Sequence, residues 1–133
     1  MIVDASLVIR AFFPDELQEG AQAVIRDHVA GKVLLKAPDL LMFELTNAVW
    51  QAERRGRIGP ELADEILGAV SGLQIELVKV EWEEMLAMAR RFNLSAYAAA
   101  YLALAERLGE PLMTGDERLV RAVKGELAWL SLV

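Results

Sequence analysis

The chain has 133 residues, 55% of them hydrophobic, enough to bury the core of one domain without disulfide or metal staples. It has no cysteine, which excludes disulfides, thiolate zinc sites and cysteine nucleophiles and leaves nothing to argue for an oxidising compartment. The net charge of −6 argues against a general nucleic-acid binder, because phosphate affinity comes from clustered Lys and Arg, so any such contact has to be local. The opening MIVDAS lacks the basic flank and long apolar stretch of a signal peptide, and no apolar run is long enough for a bilayer. A cytoplasmic protein without membrane contact is the expectation.

In chain order, a short apolar strand over 2–3 is cut by Asp4, and helical spacing over 6–13 stops at Pro14. Apolar residues at intervals of three and four predict an amphipathic helix over 15–30, ended by Gly31. A strand over 33–36 follows, then a helix started by Pro38 and Asp39 that runs to Arg55, and another over 60–73, the two forming a hairpin across Gly56 and Gly59. The segment 75–80 alternates as a strand, 82–92 is helical, and Ser95 opens an Ala-rich helix that runs to Gly109. A strand over 111–113, a helix over 116–124 and a strand over 128–132 complete the chain. No repeat, low-complexity tract or linker divides this pattern, so one domain over 1–133 is expected. Strands alternating with helices imply right-handed crossovers and an α/β fold, with a mainly parallel central sheet flanked by helices on both faces. Ligand sites in such sheets lie at the C-terminal strand ends.

Asp4 follows the first strand directly, and Asp116 follows the strand over 111–113 after Thr114 and Gly115, so both acids belong at that edge. Each could simply cap the helix it precedes. At the second site Thr114-Gly115-Asp116-Glu117 matches a capping box in which Thr114 is the cap and Asp116 is spare. Ser6 could likewise cap or hold a metal-bound water, leaving Asp4 to face a pocket. Glu44 interrupts an apolar run, where burying an unpaired carboxylate is expensive, and Asn47 shares its helix face three residues on. A basic partner or a place at the rim is the alternative for Glu44. Three convergent carboxylates call for a cation, and all-oxygen ligation suits Mg²⁺ or Mn²⁺, which can activate water and stabilise in-line displacement at phosphorus. Phosphodiester hydrolysis is the leading chemistry.

Met1-Ile-Val-Asp-Ala-Ser6, Pro38-Asp-Leu-Leu-Met-Phe-Glu-Leu-Thr-Asn47, Tyr97 through Leu104, and Leu112-Met-Thr-Gly-Asp-Glu-Arg-Leu119 together resemble the PIN-domain family, particularly its VapC-type toxin ribonucleases. The order and spacing of these elements carry the resemblance over essentially the whole length. It implies a PIN-like nuclease domain over 1–133 with metal-dependent endoribonuclease activity, in which Asp4, Glu44 and Asp116 match acidic metal-binding positions. Ser6, Asn47 and Thr114 match polar supporting positions. It also implies an RNA substrate, a homodimer, and an antitoxin partner whose segment lies across the groove. The chain departs from the pattern at one place: where the family usually reads Tyr-Asp-Ala, it reads Tyr97-Ala98-Ala99. Ala98 cannot ligate metal. Natural loss, transfer of the acid to Asp64 or Glu65, and a deliberate inactivating change all accommodate the difference.

Two other classes remain in view. A PIN-like module that no longer cleaves would keep RNA or protein contacts without metal. Phosphoryl transfer to an aspartate fits less well, because Ser6 stands where a second Asp is expected and no Lys follows the late strand. His28, the one histidine, sits near a helix C-terminus rather than among the acids. Met42, Phe43, Val49, Trp50, Phe12 and Phe13 are assigned to the core in preference to a base-stacking platform, though some could form an apolar surface. Arg54, Arg55 and Arg57, the pair Arg90 and Arg91, and the series Arg118, Arg121 and Lys124 read as solvated helix faces.

Overall fold

Ile2 and Val3 are the middle strand of the sheet and are completely buried, one on each face. In the computed structural model, which describes residues 1–133, this strand β1 (Ile2–Val3) is joined by β2 (Lys36–Pro38), β3 (Glu76–Val78), β4 (Leu112–Thr114) and β5 (Leu130–Leu132). The order is β3-β2-β1-β4-β5 and every pairing is parallel, with Ile2 in register with Lys36 on one side and Leu112 on the other. Seven helices connect them: α1 (Ala5–Phe12), α2 (Glu19–Val29), α3 (Leu40–Arg54), α4 (Pro60–Gly72), α5 (Trp82–Phe92), α6 (Ala96–Leu108) and α7 (Glu117–Val123). None is long and apolar enough to cross a membrane.

Strand alternation divides the core. Val3 points to a small cluster with Leu7 and Ala11 of α1, Ala21, Val24 and Ile25 of α2, and Leu35. Ile2, Ala37 and Leu112 point to the larger cluster under α3 to α6. At its centre α6 buries every residue from Ala99 to Ala105, and its alanines let the helix lie close against the strands. Ser95 caps it, accepting from the Ala98 N–H, and Gly109 ends it at φ 64°, a left-handed conformation that suits glycine.

The second strand sits later than the apolar run over 33–36 suggests. His28 explains the shift: its Nδ1 accepts from the Leu35 N–H (3.2 Å) and its Nε2 donates to the Leu73 carbonyl (2.7 Å), so the backbone there is served by a side chain instead of a ladder. The helix expected from residue 15 begins at Glu19, because Asp15 and Glu16 turn out to bind the Arg57 guanidinium at 2.9 and 2.7 Å. Phe43 and Trp50, assigned to the core by sequence, are 78% and 50% exposed, whereas Phe13 and Val49 are buried.

At the N-terminal end of the sheet, Glu110 binds both the Lys36 ammonium and the Met1 ammonium, each at 2.7 Å. That clamp ties β1, β2 and the lead-in to β4 at one end and leaves the opposite end for chemistry.

Candidate active site

The chain adds β2 and β3 on one side of β1 and β4 and β5 on the other, so the strand order reverses at β1. A crevice opens there at the C-terminal strand ends. It is a cleft of about 300 Å³ whose polar walls are Asp4, Ser6, Glu44, Tyr101 and Asp116, with Ala98 among them and Ser95 and Tyr97 at the rim. The three acids come from three segments: the end of β1, the second turn of α3 after β2, and the loop after β4.

Asp4 is 7% exposed and fully engaged. Its Oδ1 accepts from the Ser6 hydroxyl (2.6 Å) and the Leu7 N–H (3.0 Å), and its Oδ2 accepts from the Thr114 hydroxyl. Ser6 Oγ in turn accepts from the Gly115 N–H (2.8 Å), and Thr114 Oγ1 from the Asp116 N–H (2.9 Å). This chain of bonds fastens the start of α1 to the loop after β4. Burial raises the Asp4 pKa and the Asp116 charge adds to it, against the three donors, which lower it.

The cap assignments differ from those expected. Thr114 closes β4, is completely buried and caps nothing; Asp116 caps α7 through its Oδ1, which accepts from the Arg118 N–H (2.9 Å) and the Leu119 N–H (3.4 Å). Asp4, not Ser6, caps α1. Both acids therefore cap and line the cleft at once, since a carboxylate has more lone pairs than an N-cap uses.

Glu44 has no basic partner among the ion pairs; it is half-buried, and the Tyr101 hydroxyl donates to its Oε1 at 2.5 Å. Burial raises its pKa, the tyrosine lowers it and the Asp4 charge raises it. The Tyr101 hydroxyl is itself raised, by burial first and then by the acids it faces. Sequence reasoning missed this tyrosine. Its signal was the single polar atom in the apolar run 99–105.

Asn47 does not reach the cleft: it is exposed and lines an adjoining hollow with Leu40, Phe43, Glu44 and Tyr97. Asp64 and Glu65 are exposed on α4, which packs on α3, and neither lines the cleft. No other acid therefore stands in for Ala98 there. The donors available to a cation are carboxylate oxygens of Asp4, Glu44 and Asp116, with Glu44 Oε2 and Asp116 Oδ2 free of internal bonds. In chemistry this set suits a hard divalent ion, which would offset both the burial that chiefly raises Asp4 and Glu44 and the neighbouring acid charge that adds to it. The side chains are not drawn in tightly, and no three His, Asp or Glu residues are grouped as a ready ligand cluster.

A family model for the PIN domain matches residues 1–125. Ribonuclease VapC3 of Pyrobaculum aerophilum is 28% identical over 123 residues, covering 90% of this chain and 91% of that protein. Ribonuclease VapC1 of Mycobacterium tuberculosis is 31% identical over 128 residues, covering 91% of this chain and 89% of that protein. The crystal structure of PAE2754 from Pyrobaculum aerophilum aligns with a TM-score of 0.72 at 26% identity, over 95% of this chain and 87% of that one.

Proposed function

Because this chain belongs to the PIN-domain family, we propose that it is a metal-dependent endoribonuclease of the VapC type, hydrolysing RNA phosphodiesters in the cleft at the end of β1. The observation that carries the reading is that Asp4, Glu44 and Asp116, from three separate segments, line one crevice at the point where the strand order reverses. The same three residues would hold the cation. A bound Mg²⁺ or Mn²⁺ supplies neutralisation of the acids, polarisation of the phosphodiester and a more acidic water.

The chain's own groups divide the remaining work. Ser6 and Thr114 fix both oxygens of Asp4, so this carboxylate cannot rotate as substrate enters. Tyr101 occupies Glu44 Oε1 and leaves Oε2 free of internal bonds, so that this oxygen can hold the cation or orient an attacking water. Ala98 leaves the fourth wall without charge, so the cation is held less strongly and the water less firmly placed.

That alanine also favours a second reading, a PIN module that binds RNA or protein without cutting. Cleavage of a structured RNA panel with Mn²⁺ separates the two, with Asp4→Asn as the negative control. Weak or absent cutting by the native chain and strong cutting by Ala98→Asp supports the nuclease reading. No cutting by either chain supports the binding module. The reading extends to an antitoxin partner, whose basic side chain would replace the cation's charge in the acidic cleft, to a homodimer, and to a cytoplasmic setting. Failure of the chain to retain any antitoxin on co-purification counts against the partner.

A further inference from the structure

Each acid of the cleft has part of its carboxylate already engaged. Both Asp4 oxygens accept hydrogen bonds, Oδ1 from Ser6 and Leu7 and Oδ2 from Thr114. Asp116 Oδ1 accepts from the Arg118 and Leu119 N–H groups, and Glu44 Oε1 accepts from the Tyr101 hydroxyl. The bonds to Asp4 and Asp116 serve the backbone as well, since these two residues cap α1 and α7. The bond to Glu44 serves no helix end: Glu44 lies inside α3, and Tyr101 reaches it from the middle of α6.

Packing alone does not call for a tyrosine at this position. Its hydroxyl is the one polar side-chain group in the buried run Ala99–Ala105, where a phenylalanine would fill the same space without needing a partner. Ala98, three residues earlier on the same helix face, brings no polar side-chain atom, so this is the one hydrogen bond that α6 makes to the acids. A carboxylate with one oxygen held can still offer the other, but it cannot chelate through both. That limit bears unequally on hard cations. Ca²⁺ takes about six to eight oxygens and readily uses both atoms of a carboxylate, whereas Mg²⁺ is smaller, keeps several of its waters and is satisfied by one or two carboxylates.

We infer that Tyr101 sets the ion preference of the cleft: by holding Glu44 Oε1 it restricts this acid to one ligating oxygen and so favours Mg²⁺ over Ca²⁺. The inference rests on the reading of the cleft as a metal site and adds to it a positioning residue that discriminates between ions through Glu44. The test is calorimetric titration of Mn²⁺ into the full chain, alone and against fixed Mg²⁺ or Ca²⁺, so that the affinity of each competitor is read from the Mn²⁺ it displaces. The native chain binds Mg²⁺ more tightly than Ca²⁺. In Tyr101→Phe the ratio of Mg²⁺ to Ca²⁺ affinity falls about tenfold through a gain in Ca²⁺ affinity, the scale on which a partner of a metal ligand acts. In a Glu44→Gln background, where the side chain has a single oxygen, the same Tyr101 change leaves the ratio where it was.

Equal affinities for Mg²⁺ and Ca²⁺ in the native chain overturn the inference before any variant is made. A Tyr101→Phe chain that loses stability in urea at an unchanged ratio also overturns it, since that is the behaviour of a hydroxyl that only needs a partner for its burial. A shift that persists in the Glu44→Gln background does the same, because the tyrosine would then act elsewhere than through the second carboxylate oxygen. The two readings fail on different results. No Mn²⁺ uptake by the native chain removes the metal site and this inference together, whereas Mn²⁺ uptake without an ion preference keeps the site and removes Tyr101 from this role.

Discussion

Thr114 is completely buried, and its hydroxyl joins the end of β1 to the loop after β4, donating to Asp4 and accepting from the Asp116 N–H. Thr114→Val keeps the shape and removes both bonds, leaving a buried carboxylate oxygen and an N–H without their partner. A loss of about 2–3 kcal/mol is expected in chemical denaturation, whereas Thr114→Ser keeps both bonds and loses about 1 kcal/mol for its methyl group. Similar losses in the two variants would mean that the hydroxyl network is incidental. At this scale the sequence exposed the acids and hid their bonding. Asp4 and Asp116 could be placed because each follows a strand, and Glu44 because it breaks an apolar run. Which of two adjacent polar residues caps depends on where the strand stops, and β4 runs one residue further than its apolar letters suggest, taking Thr114 out of the capping role.

Among the elements, α6 carries the tightest constraint. Ala99 is completely buried in the larger core cluster, and its neighbour Ala98 forms a wall of the cleft. Ala99→Leu inserts volume that the packed core cannot yield, with an expected loss of about 1–3 kcal/mol in urea unfolding. A neutral result would show unused space under the helix. This element was readable in advance because Ser95 and Gly109 mark both ends, and α5 was readable because its amphipathic period is uninterrupted over Trp82–Phe92. The second strand was not, since Val33, Leu34 and Leu35 look like a strand while the backbone bond that places Leu35 comes from His28 on another element. Phe43 and Trp50 were misplaced for a related reason: apolar character identifies a helix face, but not whether a neighbour covers it.

For the molecule as a whole, the two ends of the sheet carry opposite electrostatics. Lys36, followed by the Met1 ammonium, holds the Glu110 carboxyl below the usual carboxylate range. A depressed folded-state pKa gives stability that is present above the unfolded value of 4.5 and is lost as pH falls through the folded value. Glu110→Gln should therefore cost about 1 kcal/mol at neutral pH, and the gap to the native chain should close as the pH drops below 4.5. A gap that persists in acid would assign the loss to packing. At the other end burial and mutual repulsion raise Asp4 and Glu44, so folding brings charges together there without an internal cation to offset them.

Calorimetric titration of Mn²⁺ into the native chain, Asp4→Asn and Ala98→Asp tests most directly whether that end is a metal site. Binding by the native chain, its loss in Asp4→Asn, and a tightening of about tenfold in Ala98→Asp, as expected when a carboxylate is added to an oxygen-lined site, are the predicted results. Mn²⁺ affinity that is the same in all three chains, or absent from all three, would contradict the account.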